Sequence, residues 1–457
     1  MILDAPLLGK AYVDNHFLSS GMLYESDGRL LLELHNGEKG PEEDYLDQLD
    51  PSCLDRQSSG AIAISAPKMK PCPETISFFT GPREKSYLLS DCQIAHTDFT
   101  YGGGPYNFRR LIAVRRLIQL SDYALSHIGS KYLKINRMRS MIPALNKWWG
   151  DSSLFVWLPN NAKTNRDTII AYGLKNAKPI KIGRISSENN FCARIQVCGD
   201  ASDNLIRGQA TLHSYTVFST YSHKHLDITE HLRIHQAFLV LLEIAYGCKL
   251  DMNDLQIARN DDKPFPSRSV AFRKLSTFEV PSLSHKEIRH AQKADPIFRF
   301  QDIGIKGIHK WFELLQTRPT GAYPFISLLE NERYLPLETQ VLLVGVAIEH
   351  IGAMSQKHDG NFHDQLSAIL NQLLPLLSSE ADRQLWIGRV VASYNGIKHF
   401  FRAKKRPDTL SMVEYLLESK QVIRLWIAYY VGCSINALKE YLTHHRYSLS
   451  YIRFVFK

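Results

Sequence analysis

Paired cysteine spacings are missing from this 457-residue chain. Its seven cysteines, Cys53, Cys72, Cys92, Cys192, Cys198, Cys248 and Cys433, are scattered and odd in number, with no CxxC spacing. That pattern fits neither a disulfide framework nor a zinc ribbon and points to a reducing compartment, the cytoplasm. A basic start followed by an apolar core is also lacking. Met1-Ile2-Leu3-Asp4-Ala5-Pro6 has an acid and a proline there, so no export signal is expected. Long apolar runs are few. Phe238 to Ala245 and Val341 to Ile348 are interrupted or bounded by Glu243, Glu338 and Glu349, short of the roughly 20 residues of a membrane span, so both are read as core helices. No internal repeat or low-complexity segment stands out, and no cofactor or metal motif is expected.

What is present is enough for large cores, with 44% hydrophobic residues over a length that suggests more than one domain. A formal charge of +9 favours an anionic partner without choosing among nucleic acid, phosphorylated ligands and membrane surfaces. Up to about residue 220 the signals are strands and turns. Asp27-Gly28 joins two apolar runs as a hairpin turn. Further strands are expected at 61–65, 75–80, 87–94, 154–158, 168–172, 180–185, 192–197 and 210–216, in an antiparallel sandwich or open barrel. Arg109 to His127 carries a helical period and predicts an inserted helix. Asp227 caps and Gly247 ends a helix over Ile228 to Tyr246. The fold class is therefore α+β: a β-rich N-terminal domain over 1–250, a connector over 251–285 with a possible strand at 270–275, and an all-α bundle over 286–457.

Ser393 to Arg402 concentrates the chemistry. At about 100° per residue, Asn395, His399 and Arg402 fall on one helical stripe with Lys398 beside it, followed by Lys404-Lys405-Arg406 and Pro407. An imidazole suited to proton transfer, an amide and cations are the groups that metal-free cleavage of a phosphodiester needs. The same residues also suit a solvated basic helix end, where cations meet the helix dipole. Arg389, about 80° from His399 on this helix, is a further RNA contact or a surface charge.

Tyr394-Asn395-Gly396-Ile397-Lys398-His399 resembles the third-helix motif of HEPN nucleases, in which an arginine, commonly followed by asparagine, precedes a histidine at short spacing. Val341 to His350 looks like the first bundle helix of the ApeA-like branch, which tends to carry the Ala-x-Glu seen here as Ala347-Ile348-Glu349. The hairpin Gly21 to Leu34 and the helix closing near residue 247 resemble the ApeA N-terminal domain. The resemblance implies a metal-independent endoribonuclease acting on RNA, plausibly tRNA, as a homodimer through its HEPN domain. It also implies abortive defence against phage, with the N-terminal domain sensing a phage-derived trigger or restraining the nuclease. His399 and Asn395 carry over to the catalytic pair. The arginine does not: Tyr394 stands in its place, leaving Arg402 or Lys398 to supply the charge, or a degenerate site that binds RNA or a nucleotide without cutting. Glu349 is expected either to orient His399 or to form an ordinary ion pair.

Other groupings have plainer readings. His223, His225, His231 and His235 crowd near one helix start without an HExxH pattern, so a surface or half-buried cluster is expected rather than a metal site. Tyr101 to Tyr106 is a glycine-rich loop without the phosphate-cradling pattern. Arg109, Arg110, Arg115, Arg116, Lys131, Lys134, Arg137 and Arg139 give the β-domain a basic surface, or scattered charge on solvated helix faces. Trp148 and Trp149 are core or ligand-stacking residues.

Overall fold

The protein is described here by a computed structural model. It describes residues 3, 5–13, 16–35, 54–56, 62–64, 72–80, 85–100, 107–120, 131–150, 154–157, 171–174, 178–185, 191–204, 209–262, 272–277, 285–317, 319–355, 360–376, 380–399 and 407–444. Among these residues eleven strands come first: β1 (Leu7–Val13), β2 (His16–Ser26), β3 (Arg29–His35), β4 (Leu54–Arg56), β5 (Ile62–Ile64), β6 (Thr75–Thr80), β7 (Lys85–Ser90), β8 (Gln93–Thr100), β9 (Asn107–Val114), β10 (Arg116–Leu120) and β11 (Lys134–Met141). Helix α1 (Pro143–Trp149) precedes β12 (Leu154–Trp157), β13 (Ala171–Leu174), β14 (Ile180–Arg184), β15 (Cys192–Asn204) and β16 (Gln209–Asp227). Then come α2 (Ile228–Tyr246), β17 (Asn253–Ala258) and β18 (Arg273–Thr277). Among the described residues helices follow: α3 (His285–Lys293), α4 (Phe300–Thr317), α5 (Pro319–Asn331), α6 (Leu337–Ser355), α7 (Phe362–Gln372), α8 (Glu380–Lys398), α9 (Thr409–Tyr430) and α10 (Ile435–His444). The class is α+β.

The chain forms two compact units built from alternating segments. One holds 1–139, 222–232 and 254–282; the other holds 140–221, 233–253 and 283–457. This division differs from the contiguous spans 1–250 and 286–457 that periodicity suggests, because periodicity reports element type and not which elements pack together. The expected connector likewise contains β17 and β18, which pair with each other.

In the first unit the strands follow the order β11-β17-β18-β10-β7-β6-β1-β2-β3-β9-β8. The β2–β3 hairpin turns at Asp27 and Gly28, with φ of 49° and 70°. Positive φ at both central residues matches the twist of the paired strands, and Asp-Gly tolerates it. Leu23, Leu30, Leu32, Phe78, Leu89, Ile112 and Leu117 build the core. The helix expected over Arg109 to His127 is instead β9 and β10, as far as the chain is described. Ile112 and Val114 are buried while Leu111 and Ala113 are half-buried, an alternation of two. Three of the basic residues here are occupied. Arg116 is buried and pairs with Asp91 at 3.1 Å, Lys131 reaches Asp262 at 3.0 Å, and Arg139 Nε donates to Gln256 at 2.7 Å.

In the second unit β14, β15 and β16 pair in order. Within this unit Phe238 of α2 stacks on Phe218 at 4.1 Å and meets Trp148 edge-on at 6.1 Å, which places Trp148 in the core. Trp149 stacks on Phe300 at 4.2 Å and is buried too. Asp227 accepts from the Thr229 N–H at 2.8 Å and Gly247 N–H donates to Glu243 O at 2.7 Å, closing α2 at both expected ends. Helix α4 joins the strands: His309 Nε2 donates to Ile182 O and Gln316 Nε2 to Ile185 O, each at 2.7 Å. Helix α6, at 19 residues, is longer than its most apolar run suggests, and among the described helices it alone is long and apolar enough to cross a membrane. Here it packs against α5, α7, α8 and α9, burying Val341, Val344, Ala347, Ile348 and Ile351.

Candidate functional site at the end of helix α8

Helix α8 approaches α6 closely because Gly345 has no side chain. A Cβ at that position would lie 2.2 Å from ring carbons of Tyr394. The Tyr394 ring fills this space, is fully buried and leans on Phe362 at 4.5 Å. The position where the sequence pattern calls for an arginine is thus a packing position. The Tyr394 hydroxyl has no hydrogen bond of ordinary geometry among the described residues. Burial raises its pKa, although nearby Lys398 works in the opposite direction.

One turn later, Lys398 Nζ donates to Glu349 Oε1 at 2.7 Å and lies 4.9 Å from the Tyr394 ring centre. The hydrogen bond it donates to Glu349 raises the lysine pKa, so the cation stays charged but its charge is answered. Of the two roles expected for Glu349, the ion pair is the one formed; it makes no hydrogen bond to His399. Described helix ends at Lys398, earlier than the stripe to Arg402 requires, yet His399 N–H still donates to Asn395 O at 2.9 Å. Asn395 is half-buried and His399 exposed, one helical turn apart. The structure therefore brings together Glu349, Tyr394 and Lys398, and sets Asn395 and His399 next to them on α8. Arg402, Lys404, Lys405 and Arg406 lie outside the described residues, as does the Tyr101 to Tyr106 loop.

Arg389 stands elsewhere, at a hollow of about 280 Å³ between α8 and the start of α9. The walls include Val390, Ala392 and Ser393 from α8 and Glu414, Tyr415 and Glu418 from α9. Asp408 shapes the α9 end of the hollow: its carboxylate accepts from Ser411 N–H at 2.9 Å and Ser411 Oγ at 2.8 Å, a helix N-cap that lowers its pKa. Glu418 is buried, which raises its pKa, with Trp386 and Arg389 working against that rise. Reading α8 alone misses these α9 groups. The available signal was the pair Glu414 and Glu418, one turn apart on a helix whose other face is apolar.

The histidines divide. His231 and His235 are fully buried rather than superficial, and both nitrogens of His235 are engaged, Nδ1 with Ser140 Oγ at 2.7 Å and Nε2 with Thr220 Oγ1 at 3.0 Å. His225 Nε2 lies 2.8 Å from Asn260 Oδ1, and His223 is exposed. Hydroxyl partners of this kind make a polar core, and the described residues contain no group of three histidine, cysteine or acidic side chains placed to share a metal.

Comparison with known proteins gives one family. The ApeA N-terminal domain 1 matches residues 24–311, which is more than half of the chain and reaches into α4. No curated protein and no solved structure matches. On the extent of that match, the chain belongs to the ApeA N-terminal domain 1 family.

Proposed function

We propose that this ApeA-family chain, of a family associated with antiphage defence, acts through an HEPN-type bundle over its C-terminal helices as a metal-independent endoribonuclease. The observation that carries the reading is the pairing of Asn395 with exposed His399 at the end of α8, one turn apart. In this reading His399 takes the proton of a ribose 2′-hydroxyl as its oxygen attacks phosphorus and the bond to the 5′-oxygen breaks. The departing 5′-oxygen takes a proton from water and His399 afterwards gives its own back to solvent, leaving a 2′,3′-cyclic phosphate and a 5′-hydroxyl end. Asn395 holds the ribose or phosphate. Because Glu349 already answers Lys398, the charge on the phosphorane falls to Arg402 or the run 404–406. Two copies present each group twice, so a homodimer through this bundle completes the site. The N-terminal domain senses a phage-derived trigger or restrains the bundle, in the cytoplasm. Incubating the protein with total tRNA in EDTA tests this. Cleavage should survive chelation and fall about 100-fold or more in His399→Ala; cleavage at the parental rate in that variant sinks the assignment.

A second reading rests on Tyr394. A buried aromatic in the arginine position, beside a neutralised lysine, suits a bundle that binds RNA or a nucleotide, or mediates dimerisation, without cutting. Retention of tRNA with no cleavage under any condition that preserves the fold selects it.

A further inference from the structure

Strands β14, β15 and β16 of the second unit have two unlike faces. On one, Ile182, Ala193, Ile195, Val197 and Phe218 are buried. Helices α2 and α4 meet that side, where Phe238 stacks on Phe218 and His309 donates to Ile182 O. Side chains alternate across a strand, so the residues between these point the other way. There Lys181 and Arg184 are exposed, while Arg194, Gln196, Tyr215 and Tyr221 are half-buried. The short Val217 and Ser219 between the tyrosines are buried. None of these side chains is acidic, and none of the three cations pairs with a carboxylate among the described residues.

The register sets the cations side by side. Lys181 lies opposite Arg194, and Arg184 lies opposite Cys192, which in turn faces Tyr221. Directly opposite residues have Cβ atoms about 4.5–5.5 Å apart, and like charges at that spacing destabilise a sheet. Arg184 comes three residues after Lys181 and in a regular strand would point to the buried face. The register shift between Lys181 and Gly183 inserts one extra residue and turns it outward beside the other two. Arg194 Nε is buried and makes no hydrogen bond of ordinary geometry among the described residues. Three cations gathered at a local cost, with one donor left over, suit an anion. The Tyr221 hydroxyl lies beside Cys192 and Arg194, and Tyr215 stands six residues away on the same face of β16, about 20 Å along it.

We propose that this outer face binds single-stranded RNA, with Lys181, Arg184 and Arg194 holding phosphates and the rings of Tyr221 and Tyr215 stacking bases. A lone phosphate would fill only the corner where the cations meet. A polymer with recurring anions and flat bases uses the rings along the strand as well. Unpaired bases are free to stack on aromatic rings, whereas those of a duplex are stacked on each other. Gln196, between Arg194 and Tyr215 along the strands, offers an amide to the 2′-hydroxyls that DNA lacks. The face shares no residue with the end of α8, so it goes beyond the nuclease reading and does not rest on it.

Fluorescence anisotropy of a labelled oligouridylate of about 12 nucleotides tests this. The full-length His399→Ala protein is used, so that the probe stays whole. Joint replacement Lys181→Gln, Arg184→Gln and Arg194→Gln should weaken binding about tenfold or more. It should also make the slope of log affinity against log salt shallower by about 2, since each phosphate held adds about 0.7. The unfolding midpoint should hold or rise, because like charges across the strands are gone. Tyr221→Leu should weaken binding about fivefold or more, and Tyr221→Phe, which keeps the ring, should bind as the parent does. Should the triple variant fail to fold, the Tyr221 pair decides alone. Lys286→Gln with Lys293→Gln, exposed cations of α3, should leave the affinity unchanged. The deoxy counterpart of the probe should bind about fivefold weaker or worse. Parental affinity in the triple variant, or an equal loss in the α3 variant, overturns the proposal. A silent Tyr221→Leu would reduce the face to a general polyanion patch, and equal binding of the deoxy probe would remove RNA as its ligand; either overturns it too.

Discussion

His231 illustrates what burial does to a single titrating side chain. Desolvation lowers its pKa to about 4, outweighing a hydrogen bond with the Ile135 backbone that favours the charged form. The folded state thus refuses a proton that the unfolded chain accepts from about pH 6.5 downward. Stability from this residue is complete above pH 6.5 and is lost progressively as pH falls towards 4, by roughly 3 kcal/mol in all. Urea midpoints should fall between pH 7 and 5, and a His231→Gln variant that still folds should show a smaller fall; an equal fall in both would remove His231 as the cause. The crowding of four histidines was visible in the sequence. The burial of His231 and His235 was not, because a partner such as Ser140 of His235 lies 95 positions away. At His399 the reverse holds: the spacing from Asn395 was legible, but the capture of Lys398 by Glu349 needed the neighbouring helix.

Between elements, the contact of α6 with α8 turns on one absent methyl group. Gly345→Ala puts a Cβ against the Tyr394 ring, and although alanine favours helix, overpacking of this kind costs about 1–3 kcal/mol. A reduced denaturant midpoint with an unchanged slope is expected, and an unchanged or raised midpoint would show that the helices can separate freely. Helix ends and turns were legible where local chemistry sets them, as with Asp27-Gly28 and the Asp227 cap of α2. Arg109 to His127 was misread because apolar residues at three- and four-residue intervals also occur where β10 is buried on both faces. Leu117, Ile118 and Leu120 are all buried, and a strand covered on both sides loses its alternation.

Over the whole molecule, the spans 1–250, 251–285 and 286–457 expected from periodicity follow element type, whereas the compact units alternate along the chain. The helices after residue 283 share their compact unit with β14, β15, β16 and most of α2, through contacts such as Trp311 Nε1 donating to Ala237 O at 2.8 Å. A fragment of residues 286–457 lacks those partners and should give a poorly dispersed amide spectrum and no cooperative unfolding; a sharp transition at the parental midpoint would contradict this. Such long-range partnership leaves no mark on local periodicity, which is why it could not be read in advance.

The alternation of segments also bears on control. The backbone passes between the two units at 139/140, 221/222, 232/233, 253/254 and 282/283. A protease that nicked the chain at 282/283 would liberate the last helices only by stripping them of the strands that complete their unit. Release of the last helices by a single cut is therefore incompatible with an intact second unit.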